Sequence, residues 1–125
     1  MHEAAVRELR AGRKTGHWIW YEFPQLAGLG RSSMSVRYAI SGIDEARAYL
    51  AHPVLGPRLI ECCEALLVDR GRDAVEILGP VDAVKVRSSM TLFHRADPAQ
   101  PAFRRVLNAF YGGVSDPRTD ELLAG

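Results

Sequence analysis

The chain has no long apolar run, and this absence predicts that no membrane is involved in its function. No stretch of its 125 residues approaches the roughly 20 apolar residues that a helix needs to cross a bilayer. The first residues, Met1 to Ala5, carry no cationic region followed by an apolar one, so no secretory signal is expected. With 47% hydrophobic and 25% charged residues, the composition is typical of one globular domain, residues 1–125, in the cytoplasm.

Cysteine is also scarce, because the only two cysteines are the neighbours Cys62 and Cys63. Adjacent helical residues point about 100° apart, so they rarely form a disulfide. We expect two small, reduced helix residues, at least one of them facing the core; a redox or catalytic thiol is the alternative. The histidines lack metal-binding spacing, so no metal and no cofactor are predicted. They are His2, His17, His52 and His94.

The chain lacks an excess of charge of either sign. Sixteen Lys and Arg residues oppose fifteen Asp and Glu residues, which leaves a net charge of +1 and disfavours a nucleic-acid partner. Only two of the sixteen basic residues are lysines, Lys14 and Lys85. Either these are positions where a compact ammonium is needed, or they are what an arginine-rich codon bias has left.

The apolar pattern predicts an all-α domain of about six short helices, with no convincing strand alternation. Pro80 and the pair Asp116-Pro117 are typical of helix starts, and Gly112-Gly113 of a helix end. Ser41 and Asp44 have the spacing of a capping box before another helix. The predicted helices cover residues 3–11, 43–50, 54–68, 81–95 and 103–111, with a last one opening at 116–117.

The aromatic segment from His17 to Phe23 is the one stretch that residue propensity assigns to a strand. It is short, isolated and followed by Pro24, so a strand here would have no partner to pair with. We therefore predict a buried helical turn.

A strip of polar residues on the helix over 81–95 is one half of the candidate site. Residues three and four apart are neighbours on a helix, so an acid, an ammonium and two hydroxyls share this strip. They are Asp82, Lys85, Ser88 and Ser89. Such a set suits a phosphate, a polar sugar or a lysine-activated serine. The alternative is a surface ion pair beside two serines that cap or solvate the helix.

The other half is the segment that contains Lys14, His17 and Gln25. A histidine beside tryptophan suits a general base or a stacking partner, and a glutamine amide can bind in a bidentate manner. Lysines favour phosphates, while Trp18 or Tyr21 would stack on a base. The alternatives are that the aromatic residues form core and that His17 is a satisfied, partly buried histidine.

A family resemblance covers nearly the whole chain. The run from Gly12 to Gly30 contains Gly-Arg-Lys, His-Trp, Phe-Pro-Gln and Gly-Leu-Gly elements in the family's order. Further matching blocks lie at 38–40, 45–50, 52–59 and 82–93. At these blocks the sequence resembles the bacterial domain-of-unknown-function family numbered eighteen-ten, which includes an all-helical mycobacterial protein of known structure. The chain departs from the family at Thr15-Gly16, where relatives carry a larger residue and a serine.

The resemblance implies a single compact all-α domain without an established activity. The label "calpastatin", often attached to this family, implies a protease inhibitor. That kind of inhibition works through disordered segments, and the composition of this chain is globular.

Two functional hypotheses follow. The first is a polar cleft, formed where the two segments meet, that binds a small anionic or nucleotide-type ligand; whether it is an enzyme stays open. A loose similarity of pattern to ADP-ribose-processing N-glycosidases makes an ADP-ribose-type ligand the version to test. The second is a protein-interaction or scaffold domain without catalysis, in which the polar strips are solvated. The predicted ligand residues are Lys14, His17, Trp18, Tyr21, Gln25, Asp82, Lys85, Ser88 and Ser89.

Overall fold

Nine helices follow one another along the chain without any strand in the computed structural model, which describes all 125 residues. Six of them have at least eight residues, which confirms the predicted all-α class and the number of main helices. None of the helices is both long enough and apolar enough to cross a membrane. The helices are α1 (His2–Arg10), α2 (Ile19–Glu22), α3 (Ser33–Tyr38), α4 (Ile43–Ala51), α5 (Leu55–Leu67), α6 (Ala74–Leu78), α7 (Pro80–Ala96), α8 (Pro101–Tyr111) and α9 (Pro117–Ala124).

The starts and ends of these helices follow local chemistry, with one exception to the prediction. The Asp116 carboxylate caps α9 by accepting the Thr119 N–H at 3.1 Å, and Gly112 ends α8 in the left-handed conformation. The predicted capping box at Ser41 is wrong, because Gly42 is the residue that precedes α4 and no side chain caps this helix. Instead the carboxylate of Glu45 accepts the Ser41 N–H at 2.8 Å.

Helices α5 and α7 form the centre of the molecule. Helix α5 packs against α1, α4 and α8, and α7 packs against α4, α6, α8 and α9. A single cluster of 28 buried apolar residues joins them. Cys62 and Cys63 are both buried in α5 and neither forms a disulfide, as predicted. Burial raises the pKa of both thiols, so neither has the exposed, acidic character of a reactive cysteine.

The aromatic segment forms the predicted buried turn, which is helix α2. Trp18, Ile19 and Phe23 are buried in the common core. Helix α2 also buries the charged residue Glu22, which is only 5% exposed. The turn therefore brings a carboxylate to the α5 side of the molecule, where α1 and α4 also pack.

Helices α4 and α5 approach each other closely at Gly56. A Cβ atom at this position would overlap the carbonyl oxygen of Leu50, so only glycine permits the contact. This approach sets Tyr49 of α4 beside Leu55 and Arg58 of α5, and these three side chains line one pocket together with Glu22.

Candidate functional site

The two predicted segments do meet, through an ion pair between Lys14 and Asp82. The Lys14 Nζ atom lies 2.6 Å from Asp82 Oδ2, and the Lys14 side chain is only 8% exposed. The same ammonium donates to the carbonyl oxygen of Gly16 at 2.6 Å and lies 5.0 Å from the centre of the Trp18 ring. The protein itself thus supplies two hydrogen-bond acceptors and an aromatic ring to the Lys14 ammonium.

The four residues of the α7 strip turn to different neighbours. Lys85 Nζ lies 5.7 Å from the centre of the Trp20 ring. Ser88 Oγ lies 3.2 Å from both the carbonyl oxygen of Val84 and Asp116 Oδ2. Ser89 is fully buried, and its hydroxyl has no hydrogen-bond partner. Three of the four residues of the strip therefore already contact other groups of the protein.

The remaining predicted residues are dispersed. His17 is exposed, Gln25 is half-buried, and Trp18 is buried in the core. None of the five main pockets is lined by these three residues, nor by Lys14, Asp82, Lys85, Ser88 or Ser89; of the nine predicted residues only Tyr21 lines one. That the other eight bind a ligand stays a prediction.

Glu8 organises the loop that carries Lys14, although no sequence motif marks it. Its Oε1 atom accepts N–H groups from Thr15 at 2.7 Å, Gly16 at 2.8 Å and the Trp18 indole at 3.0 Å. Desolvation alone would raise the pKa of Glu8, but these hydrogen bonds outweigh it and lower the pKa to about 2. Glu8 is therefore a structural carboxylate.

A second cluster forms around Glu22 and brings together residues far apart in sequence. Glu22 Oε1 lies 2.9 Å from His2 Nδ1 and 3.4 Å from Cys62 Sγ. The other ring nitrogen of His2, Nε2, lies 2.5 Å from Glu61 Oε1. Burial would lower the pKa of His2, but its hydrogen bonds to the two carboxylates outweigh burial and raise it. Helices α1, α2 and α5 each contribute to this cluster.

Glu22 also lines a pocket of about 210 Å³, which we call the tyrosine pocket. Both side-chain hydrogen bonds of Glu22 end at Oε1, so no side chain of the protein donates to Oε2. Burial, with the Glu22 charge adding to it, raises the pKa of both Tyr21 and Tyr49, so both stay neutral phenols. The pocket is lined by Met1, His2, Tyr21, Glu22, Tyr49, Leu55 and Arg58.

Two further pockets adjoin the tyrosine pocket. One of about 400 Å³ shares Tyr49 and Leu55 with it and adds Arg37 and Tyr38. The ring centres of Tyr21 and Tyr38 are 6.0 Å apart, so a row of tyrosines runs from one pocket to the next. The other, of about 410 Å³, shares His2 and is rich in charged side chains. At about 400 and 410 Å³, these two pockets lie within the size range of small-molecule sites.

The largest pocket, about 480 Å³, is elsewhere, between the start of α4 and the last helix. Its only two charged residues, Arg95 and Asp120, are joined by two hydrogen bonds of 2.9 and 3.1 Å. No unpaired charge remains there to recognise a ligand. The pocket with the greatest volume is therefore not the one with the most suitable side chains. The tyrosine pocket is the better candidate, because Glu22 there keeps one carboxylate oxygen free of side-chain donors.

Comparison with known proteins agrees with the sequence resemblance. A model of the family described as "Protein of unknown function (DUF1810)" matches residues 1–123. The chain belongs to this family. One solved structure, of the conserved hypothetical protein Rv1873 from Mycobacterium tuberculosis, is 54% identical with a TM-score of 0.95. The match covers 98% of this chain and 88% of that one. The comparison with curated proteins found no match.

The DUF1810 assignment confirms the fold expected from the resemblance and adds no activity, since both descriptions leave the function open. The Glu22 cluster of this DUF1810 domain had no local signal in the sequence. The spacing of residues 2, 22, 61 and 62 matches no metal-binding or catalytic motif. The one unusual feature was Glu22, an acidic residue inside an aromatic segment.

Proposed function

We propose that this domain binds a small nucleotide-type ligand in the tyrosine pocket. The observation that carries the proposal is Glu22, a carboxylate buried to 95% whose Oε2 atom faces no donor of the protein. The Oε2 atom is not enclosed by the protein, so it is reached from the pocket that Glu22 lines. A carboxylate that keeps an acceptor open at a pocket therefore supports recognition of a ligand that carries an N–H donor.

The lining of the pocket supports a base rather than an aliphatic ligand. Tyr21 and Tyr49 offer aromatic surface, and stacking of a base on such a ring contributes about 1–3 kcal/mol. An amino group of the base would donate to Glu22 Oε2, because a carboxylate oxygen is a hydrogen-bond acceptor. Tyr21 thus keeps the stacking role that the sequence predicted for it.

Arginine side chains around the pocket support an anionic ligand. Arg58 lines the tyrosine pocket, and Arg37 lines the adjoining pocket, 5.7 Å from the centre of the Tyr38 ring. Guanidinium groups bind phosphate in a bidentate manner, so a ligand with its base at Glu22 would direct its phosphates towards Arg58. The ligand class is therefore the one expected from the sequence, at a different location.

The experiment compares these two locations. The full chain would be screened by thermal shift with ADP-ribose, NAD, AMP and ATP, and each positive ligand titrated by calorimetry against Arg58→Ala and Lys85→Ala. Loss of a charge-assisted hydrogen bond costs about 1.5–3 kcal/mol, so we expect Arg58→Ala to weaken binding roughly tenfold or more. Lys85→Ala, the matched control, should bind like the parent chain.

Two results would contradict the proposal. The first is the absence of a thermal shift with every nucleotide at millimolar concentration. The second is weaker binding in Lys85→Ala with unchanged binding in Arg58→Ala. This result would show that the ligand binds at the α7 strip and not in the tyrosine pocket.

The interaction-domain hypothesis needs a continuous apolar patch of several hundred Å². The large exposed apolar side chains are scattered over α3, α5, α6, α7 and α9, the first residue and several loops. Val81 and Val84, one turn apart on α7, are the pair that gives this hypothesis its support. It stays a prediction with less support than the tyrosine pocket.

A further inference from the structure

Three different metal-binding atom types converge beneath the tyrosine pocket. His2 Nδ1, a Glu22 carboxylate oxygen and Cys62 Sγ all lie within 4.8 Å of one another. Glu22 and Cys62 are buried, and the His2 side chain is 11% exposed, so bulk water does not compete freely for these atoms. An imidazole, a carboxylate and a thiol are together the three side-chain groups that bind zinc in proteins.

We infer that His2, Glu22 and Cys62 form a binding site for a zinc ion. Zinc–ligand bonds of about 2.0–2.3 Å place the ligand atoms of a tetrahedron roughly 3.3–3.8 Å apart. The observed separations are 2.9 Å from His2 Nδ1 to Glu22 Oε1 and 3.4 Å from Cys62 Sγ to the same oxygen. The third separation, from His2 Nδ1 to Cys62 Sγ, is within 4.8 Å, so side-chain shifts of at most about 1 Å bring the three atoms to these spacings.

Glu61 supplies the outer partner that zinc-binding histidines normally have. Its carboxylate engages His2 Nε2 on the side of the ring away from Glu22. This contact fixes the ring so that Nδ1 points at the cluster, and such carboxylate–histidine pairs orient ligands and raise their basicity. The sulfur ligand favours zinc over magnesium or calcium, which prefer all-oxygen sites.

Binding of the ion releases the protons that its ligand atoms carry. The Cys62 thiol loses its proton to become a thiolate, and His2 gives up its Nδ1 proton so that this nitrogen donates its lone pair. Thiolate and carboxylate together neutralise the charge of Zn²⁺. Three protein ligands leave a fourth position for water, and the tyrosine pocket, which His2 and Glu22 also line, gives access to it.

The neighbouring cysteine provides a matched control. Cys63 is as buried as Cys62 on the same helix, but its Sγ lies 3.6 Å from Met90 Sδ and away from the cluster. Replacement of either thiol by serine makes the same chemical change at the same depth. Only the change at Cys62 removes a ligand of the proposed site.

The test titrates the metal-stripped full chain with Zn²⁺ alone and, in parallel, with Co²⁺. We expect one equivalent of either ion to bind, and Co²⁺ to give an intense thiolate-to-cobalt charge-transfer band. Cys62→Ser should lose this band and bind Zn²⁺ at least tenfold more weakly, whereas Cys63→Ser should keep both. His2→Gln, a change at a less buried position, should weaken Zn²⁺ binding by a similar factor with its fold intact by circular dichroism.

The inference would be overturned if the parent chain failed to bind one equivalent of Zn²⁺. It would equally be overturned if the charge-transfer band survived in Cys62→Ser, or if folded His2→Gln bound Zn²⁺ as tightly as the parent. The probe is the ion alone, so none of these results bears on the nucleotide proposal.

Discussion

At the scale of single residues, Glu8 and Glu22 are two carboxylates that the fold holds in opposite ways. Glu8 Oε1 accepts three N–H groups, from Thr15, Gly16 and Trp18. Glu22 has partners at one oxygen and none at the other. The first therefore stabilises a loop, and the second is available for binding.

The depressed pKa of Glu8 predicts a specific loss of stability in acid. A carboxylate whose folded pKa is about 2 stabilises the fold fully above its unfolded pKa of about 4.3. The contribution is lost as the pH falls from about 4.3 towards 2. We expect it to be at most about 1 kcal/mol, because Glu8 is partly exposed and solvent screens it.

The measurement is urea unfolding of the parent chain and of Glu8→Gln between pH 6 and pH 2.5, a range chosen around the pKa values above. The two stability curves should converge as the pH falls. A constant difference across that range would show that the Glu8 charge does not stabilise the fold.

The ion pair of Lys14 and Asp82 predicts a structural role for the lysine. Lys14→Met removes a nearly buried ammonium and leaves the Asp82 carboxylate, 18% exposed, without its cation. Loss of one partner of a fully buried pair costs about 3–5 kcal/mol, and the partial exposure of Asp82 reduces this to roughly 2 kcal/mol. Chemical unfolding measures the change, with Lys85→Met as the control.

Lys85 has only a cation–π contact with Trp20, so its replacement should cost less than about 1 kcal/mol. Equal losses from Lys14→Met and Lys85→Met would contradict the structural role of the ion pair.

At the scale of elements, the cap of α9 joins two helices. The Asp116 carboxylate accepts the N–H of Thr119 and its hydroxyl, and it also lies 3.2 Å from Ser88 Oγ on α7. Asp116→Ala should therefore lower the free energy of unfolding by about 1–2 kcal/mol. Thermal and urea unfolding measure this, with the exposed Glu121→Ala on the same helix as the control. A loss no greater than that of Glu121→Ala would contradict it.

The long helices could be predicted because each buries a stripe of apolar residues against the core. The stripe on α5 includes Leu59, Cys62 and Leu66, at helical spacing. Helix α3 was not predicted because it buries no side chain, and α6 was not predicted because it is a single short turn. At α4 the capping pattern was misleading, because Ser41 lies one residue too early to cap.

At the scale of the whole molecule, the packing of α1, α2 and α5 decides where chemistry is possible. The sequence predicted that the segments of Lys14 and Asp82 meet in a polar cleft; the segments do meet, but as an ion pair that lines none of the five main pockets. The sequence did not indicate that these two side chains pair with each other and are therefore not free to bind a ligand. His2, Glu22 and Cys62 come from three helices, so their proximity depends on tertiary packing rather than on spacing along the chain. For this reason the pocket could not be predicted from the sequence.

The main claim made for this protein is that its tyrosine pocket binds a nucleotide-type ligand, and a crystal structure of the full chain with the tightest-binding nucleotide can confirm or refute it. The claim predicts a base against Tyr21 or Tyr49, an N–H donated to Glu22 Oε2, and phosphate oxygens at Arg58. Density for the nucleotide beside Asp82 and Lys85, with the tyrosine pocket empty of it, would contradict the claim.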